Sequence, residues 1–576
     1  MVKKIFPILI LVFVFLPFFN VHAENTLGQS VNFYVESSYD LTKRSNLSAT
    51  LVKISPQLYF YIDDIWWSGL SEQSKTETKD VFDSLAEEFE NKIYPSLTQT
   101  FGAEWNPGID NDRRITILFH SMLPQAGGYF SNGNEYPKIQ FPQSNEREMF
   151  YLNSSFIDSP LIKGFLAHEF IHLITFNQKD KKGVEEEVWL NEARAEYVST
   201  FLGYDSQYEE SNLQRRVLDF TDRPFDSLTE WKGTAYDYGV LNLFFQYLVD
   251  HYGSKILVDS LHLKTSGIKS INDALIMNSF KENFSQIFND WAITVLINDC
   301  NVSQKYCYFN PNLKNLRITP MINYLPFIGE STLSVTNTTK DWAGNWHKFI
   351  GGNGTLRLEF SVGNLANFKV PYLIQDSGGN YTIGFLVFNK DGIATTSVSD
   401  FGGENTSLTI IPIAQTKISG FFSNEVEPSY AFFWSASTAG KTIPIPVPDE
   451  KPIGDLTVEA LLEKIAQLTK MVADLQNQLN ALNTSKDSCL SLNADLFYGL
   501  SDNNSVKCLQ EFLKSQGSAI YPEGFITGNF FSLTELAVIR FQEKYASEIL
   551  SPLGMTEGTG YVGIRTRNKI NQLLTK

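Results

Sequence analysis

Cysteine is scarce in this chain. There are 4 in 576 residues and no two of them form a Cys-x-x-Cys pair, which argues against a zinc ion held by thiolates alone. They fall as Cys300 with Cys307 and Cys489 with Cys508, the short-range spacing of two local disulfides in an oxidising compartment. Positive charge is also in deficit: 47 Lys and Arg stand against 64 Asp and Glu, a net charge of -17, with no basic stripe. A nucleic-acid partner is therefore not expected. Long apolar runs are missing beyond the first residues. Ile5 to Phe19, preceded by Lys3 and Lys4 and followed by Val21-His22-Ala23, is shorter than the roughly 20 residues that span a bilayer. Residues 1–23 read instead as a secretory signal with a small-residue cleavage pattern, leaving no membrane segment after its removal.

What is there points to several domains. After a short extension at 24–54, residues 55–315 mix strand and helix periodicities. Val81, Phe82, Leu85, Phe89 and Ile93 predict an amphipathic helix over Asp80 to Tyr94, ended by Pro95. Arg114 to His120 reads as a strand. Helical patterns follow at Leu161–Thr175, Trp189–Leu202, Tyr236–Tyr252 and Phe284–Asn298, giving an α+β layout with its helices gathered in the second half. Glu185-Glu-Glu187 reads as a solvated acidic loop. Residues 322–438 alternate in short runs such as Thr355–Phe360 and Ser407–Ile413 between Gly- and Asn-rich turns, the texture of a β-sandwich domain.

Residues 439–454 form a proline-rich linker. Over 455–484, Val458, Leu461, Ile465, Leu468, Val472, Leu475, Leu479 and Leu482 keep a heptad seam, with mostly β-branched residues at a and leucine at d. That pattern favours a parallel two-stranded coiled-coil stalk and hence a homodimer, with a lone amphipathic helix docked on a neighbour as the alternative. Residues 488–576 carry helical periodicity, Val506, Leu509, Phe512 and Leu513 being expected to face Leu536, Val538, Ile539 and Phe541 in a small three-helix domain.

The chemistry concentrates at His168-Glu-Phe-Ile-His172. Two histidines four residues apart share one helical face, so both imidazoles reach one metal ion. Zinc bound by two nitrogens wants a third protein ligand and an open position. With the cysteines paired, a carboxylate must supply that ligand. Glu192, in Trp189-Leu-Asn-Glu-Ala-Arg-Ala-Glu-Tyr197, is the candidate, with Glu196 one turn further on placed to accept the free N–H of a ligating histidine. Asn191 is a further candidate for that outer contact. Glu169 is the natural general base, taking a proton from the attacking water and returning it to the leaving amine.

His168, Glu169, His172, Glu192 and the carboxylate at Glu196 together resemble the gluzincin metallopeptidases, the thermolysin-like clan. The resemblance implies a zincin-like catalytic domain over 55–315, Zn²⁺ on His168, His172 and Glu192, Glu169 as base, and Glu196 orienting a histidine where thermolysin has aspartate. Gly128-Tyr-Phe130, Ser144–Asn153, Tyr236-Asp-Tyr-Gly239 and Phe288-Asn-Asp-Trp-Ala292 are more similar to secreted bacterial hyicolysin-type peptidases. In the aminopeptidase branch of the clan a Tyr-x-x-Gly tyrosine stabilises the oxyanion, which implies Tyr236, with Tyr238 its rival. The Gly-x-Met-Glu-Asn motif that holds a free amino terminus in that branch is not found here. An endopeptidase that binds its substrate as an added strand near Gly128 is therefore expected.

The ordered pieces Leu509-Gln510, Thr527-Gly-Asn-Phe530, Thr534 to Gln542 and Gly560 to Thr566 resemble the type 1 peptidoglycan-binding domain, with an insertion at Ala546–Gly558. That resemblance implies a tether to cell wall through 488–576. The expected protein is a secreted, wall-associated or periplasmic zinc endopeptidase acting on proteins. The rival readings are a peptidoglycan peptide hydrolase and an inactive peptidase-like adhesion protein.

Overall fold

A computed structural model describes residues 25–439 and 491–574, apart from positions 328, 364–365, 422–425, 493, 499, 501–502, 523 and 554–557. The expected signal segment 1–23, nearly all of the expected linker, the expected coiled coil 455–484 and Cys489 lie outside the described residues.

The first sheet is built from β1 (Ser30–Tyr34), β2 (Asn46–Ile54), β3 (Leu58–Asp63), β4 (Ile115–His120), β5 (Gly128–Phe130) and β6 (Met149–Asn153), in the order β1-β2-β3-β4-β6-β5. Strands β3, β4 and β6 run parallel, while β5 lies antiparallel to β6 at the edge. Alternation along the strands divides two cores. Phe60, Ile62, Ile117, Phe119 and Phe150 face the helices, and Tyr59, Tyr61, Leu118, Met149 and Tyr151 face the other way. The stretch 24–54, expected to lie outside the domain, supplies two strands of this sheet. Phe33, Leu47, Ala49 and Leu51 are buried in its second core, so the domain begins earlier than position 55.

A short helix α1 (Asp64–Ser68) leads into α2 (Glu72–Glu88), a π-helical turn over Phe89–Ile93, and α3 (Tyr94–Phe101). Pro95 thus does not end the helix. The wide turn precedes it and Pro95 falls in the first turn of α3, where its missing N–H costs no bond. The helical half follows as α4 (Ile162–Gln178), α5 (Val188–Phe201), α6 (Asn212–Asp222), α7 (Ala235–Tyr252), α8 (Lys255–His262), α9 (Gly267–Met277) and α10 (Phe284–Ile297). A disulfide joins Cys300 to Cys307 behind α10. Cys508 is also disulfide-bonded.

Residues 321–438 fold into two β layers. One runs β13 (Tyr381–Phe385), β12 (Pro371–Asp376), β15 (Asn405–Ile410), β9 (His347–Gly351), β7 (Met321–Leu325) and the other β14 (Ile393–Phe401), β10 (Gly354–Val362), β17 (Tyr430–Thr438), β8 (Ser331–Thr339), with β11 (Phe368–Lys369) paired to β16 (Ile413–Ala414) beside them and a backbone pairing between the layers where Phe401 meets Asn405. Leu356, Leu358 and Phe360 from one layer interdigitate with Phe349, Leu408 and Ile410 from the other. This sandwich is welded to the helices. Trp346 Nε1 donates to the Ala292 carbonyl at 2.8 Å, Gln415 Nε2 to Asn289 Oδ1 at 3.0 Å, and the Gly420 N–H to Glu187 Oε1 at 2.7 Å. Trp342, Trp346, Ile411 and Ile413 join the same apolar core as Phe284, Phe288 and Trp291.

Glu187 belongs to the segment expected to be a solvated acidic loop, and there the structure differs. Glu186 and Glu187 are buried, because each meets donors the sequence places far away. Glu186 pairs with Lys179 and with Arg194 at 2.8 Å and accepts from the Gly267 N–H, while Glu187 accepts from Trp189 Nε1. Burial works against the Glu186 carboxylate, but Arg194 and Lys179 outweigh it and hold its pKa below the ordinary value. Glu186→Ala would strand two buried cations and is expected to destabilise the protein by about 3–5 kcal/mol. Urea titration checks this, and a loss below about 1 kcal/mol would contradict it.

The C-terminal module packs helices Asn504–Ser515, Ser532–Lys544 and Ile564–Leu574, with a short helix Ala546–Ile549 inside the expected insertion. Its core holds Val506, Leu509, Phe512 and Leu513 against Ala537, Val538 and Phe541. Leu536 is exposed, contrary to expectation, because the inner stripe runs through 534, 537, 538 and 541. The module is an internal repeat. Gln510 accepts from the Thr527 and Gly528 N–H groups and donates to Asn529 O and Thr534 Oγ1. Gln542 makes the same four contacts with Thr559, Gly560, Tyr561 and Thr566.

Candidate metal centre

Helix α4 is buried on nearly every side, with Leu166, Ala167, Phe170, Ile171, Leu173, Ile174 and Phe176 all inside. This rigid seat presents His168 and His172 one turn apart, ring centres 5.0 Å from each other. Helix α5 packs alongside and brings Glu192 between them. Its Oε2 lies 3.4 Å from His168 Nε2 and its Oε1 3.7 Å from His172 Nε2. One ligand atom from each of the three residues falls within 4.8 Å of the others. Glu192 Oε2 is buried and makes no hydrogen bond. Two imidazole nitrogens and a carboxylate oxygen at such spacing could together hold one metal ion.

The contacts behind these residues fix their orientation. His172 Nδ1 donates to Asn191 Oδ1 at 3.2 Å, turning Nε2 toward Glu192. His168 Nδ1 lies 3.6 Å from Glu196 Oε1. Glu196 is in turn clamped by Arg216 of α6, whose Nε and Nη2 donate at 2.8 and 2.7 Å, and by Asn212 Nδ2 at 2.9 Å. Burial disfavours the Glu196 charge, yet Arg216 overrides it and holds the pKa down at about 2. Burial likewise opposes charge on His168, but Glu192, Glu169 and Glu196 push its pKa up to about 9.

Glu169 points across to the edge strand. A Cβ on Gly128 would stand 2.9 Å from Glu169 Oε1 and 2.6 Å from the Tyr151 carbonyl, so only glycine lets β5 approach the carboxylate this closely. Burial, reinforced by Glu192 and Glu196 and opposed by His168, pushes the Glu169 pKa up to about 8. The pocket over the centre, about 110 Å³, is lined by Tyr39, Gly128, Tyr129, Phe130, His168, Glu169, His172, Asn191, Glu192 and Tyr238.

Of the two tyrosines singled out in the sequence, Tyr238 lines this pocket and Tyr236 does not. Two residues apart on a helix, they point to roughly opposite sides. The Tyr238 ring lies 6.4 Å from that of His168, between Trp231 at 5.0 Å and the Arg216 guanidinium at 4.4 Å. Tyr236 instead packs under Arg223 at 4.3 Å and hydrogen-bonds Asp222. Tyr39 and Arg216 escaped the sequence reading. Tyr39, from the β1–β2 loop and stacked on Tyr129 at 4.6 Å, stands close enough to Glu192 and Glu169 that, after burial, their charges help raise its pKa to about 12. No spacing relative to the histidine motif marks it. For Arg216 the one signal was a basic pair, Arg215-Arg216, on an amphipathic helix near the acidic one.

No family model and no curated protein matches the chain. Among solved structures it is similar to the M60 catalytic domain with the CBM51-1 and CBM51-2 domains of Clostridium perfringens ZmpB, at 9% identity and a TM-score of 0.24, over 68% of this chain and 60% of that one. It is also similar to the pre-peptidase C-terminal domain of Bacillus anthracis collagenase, at 6% identity and a TM-score of 0.14, over 20% of this chain and 96% of that one. The periplasmic inhibitor of g-type lysozyme from Aeromonas hydrophila matches 21% of this chain and 98% of its own at 12% identity and a TM-score of 0.13.

Proposed function

We propose that the protein is a zinc-dependent endopeptidase of the gluzincin type, secreted and held at a cell wall through residues 488–576. One observation carries the catalytic part: His168, His172 and Glu192 converge in a pocket that also holds Glu169 and is walled by an edge strand. Zinc, when bound by these three residues, supplies a Lewis acid and makes water a nucleophile near neutral pH. The chain does the rest. Glu169, desolvated so that its carboxylate binds a proton more tightly, accepts the proton of the attacking water and returns it to the leaving amine. Asn191 and Glu196 hold the two imidazoles in their ligating orientation, and Arg216 holds Glu196. Tyr238 offers its hydroxyl to the developing oxyanion, and Tyr39 closes the rim. The free edge of β5 runs beside the pocket, where an extended polypeptide adds as a further strand and leaves its scissile carbonyl over the metal ligands.

Tyr238→Phe is expected to lower kcat by roughly 10²–10³-fold with KM little changed, whereas Tyr236→Phe stays within about twofold of the parent. Steady-state kinetics on a quenched peptide decide between them, and the reverse ranking would move the oxyanion role to Tyr236.

The whole reading is tested by incubating the zinc-loaded protein with casein and with purified wall sacculi, then sequencing the products. New amino termini inside casein, with sacculus peptides intact, support it. Released wall peptides alone would make the protein a peptidoglycan peptide hydrolase, and no cleavage of either would leave a binding protein. Retention of the full chain on sacculi is expected for the tether, and recovery in the unbound fraction contradicts it.

A further inference from the structure

Away from the metal centre, the carboxyl groups of Glu135 and Glu148 are buried against each other, 2% and 3% exposed. Glu148 precedes β6, and its Oε1 accepts the Ile109 N–H at 2.9 Å. Its other oxygen has no donor, and neither has either oxygen of Glu135. The turn Asn106–Asp110 is pressed onto this pair. A Cβ on Gly108, which sits at φ +83°, would stand 1.4 Å from Glu148 Oε2. Asp110 adds a third carboxylate whose charge reaches both glutamates. Lys181, whose ammonium lies over the Trp105 ring at 3.0 Å, is the cation whose charge reaches both carboxyls.

We propose that Glu135 and Glu148 are ligands of a divalent cation of the calcium class, held against the Gly108–Asp110 turn, with Asp110 completing the shell through water. Three of the four oxygens meet no N–H or O–H donor, and burial pushes both carboxyls toward the protonated form, a cost that a dication held between them would remove. A single shared proton neutralises one group and satisfies at most two of those oxygens, whereas a dication neutralises both and engages all three. The donors are oxygens alone, with no imidazole or thiolate in the cluster, which selects a hard cation over zinc. Ligand atoms from three residues approach within 4.8 Å of one another, among the described residues, only at His168, His172 and Glu192. Asp110 therefore stands outside direct reach of an ion held by both glutamates, and water bridges it. Calcium tolerates such water-filled shells.

The position gives the ion a task. Glu135 closes the 3-10 turn Asn132–Glu135, which follows directly on β5, and Glu148 leads into β6, its pairing partner. Clamping the two glutamates fixes the edge strand that walls the pocket.

The test is calorimetric titration of the zinc-loaded full chain with Ca²⁺ and with Mg²⁺, and the thermal midpoint with and without calcium. One equivalent of Ca²⁺ is expected to bind more tightly than Mg²⁺ and to raise the midpoint. Glu135→Gln and Glu148→Gln, each checked for an unchanged near-ultraviolet circular dichroism spectrum, are expected to weaken calcium binding by at least roughly 10-fold. Two results overturn the proposal. One is a wild-type protein whose midpoint ignores calcium. The other is unchanged affinity in both variants. A shared proton in place of a cation would show as Gln variants more stable than wild type in calcium-free buffer, with no calcium response in any of them. Because the wild-type response stands alone as a readout, a variant that fails to fold does not rescue the idea.

Discussion

Replacing Glu169 by Gln is expected to cut kcat on a protein substrate by roughly 10²–10⁴-fold, the contribution of a positioned general base, while the metal stays bound. The side chain keeps its shape and its place beside Gly128, so packing of β5 against α4 should persist. What disappears is a group able to take a proton. Burial raises the proton affinity of the Glu169 carboxylate, and the positive charge of a bound metal would keep it ionised to receive the proton. Glu169→Asp is the companion variant. It retains the carboxylate but withdraws it by one methylene, and should fall between parent and Gln. Equal activity of Glu169→Gln and wild type would remove the assigned base.

The second large effect is expected on the metal itself. Glu192→Ala removes the carboxylate that lies between the two imidazoles, and His172→Ala removes one imidazole together with its contact to Asn191, each a ligand in the proposed zinc site. Each should lose zinc on gel filtration in chelator-free buffer and fall to background peptidase activity, whereas Glu169→Gln keeps its zinc. Glu196→Gln is predicted to be milder, about 10–100-fold in metal affinity, since it acts through His168. Retention of a full equivalent of zinc by Glu192→Ala would contradict the ligand set.

Much of this centre was legible in the sequence because helix geometry turns spacing into direction. His168 and His172 four apart, and Glu192 and Glu196 four apart, must each share a face, and the structure brings those faces together. Tyr236 and Tyr238 show the limit of the same logic. Spacing says they point apart but not which one meets the histidines. Tyr39 was illegible for a different reason. It arrives from a loop between strands that the sequence reading placed outside the domain, and only the pairing of β1 and β2 into the sheet carries it over the pocket.

The buried acids were misread for want of their partners. Glu186 looks like a surface charge until Lys179, Arg194 and Gly267 converge on it. Pro95 signalled a helix end, but the preceding π-turn absorbs it. In the C-terminal module the repeated spacing from Gln510 to Thr527 and from Gln542 to Thr559 was present in the sequence. Its meaning, two glutamines each pinning the turn that leads into the next helix, needed the hydrogen bonds.

This centre is expected to hydrolyse peptide bonds only with its metal. The direct measurement is a zinc titration of the metal-stripped full chain, reading casein cleavage at each addition. Activity absent at the start, rising linearly and levelling at one equivalent of zinc per chain is the predicted result. Undiminished cleavage by the metal-free protein, or no cleavage at any zinc concentration, would contradict it.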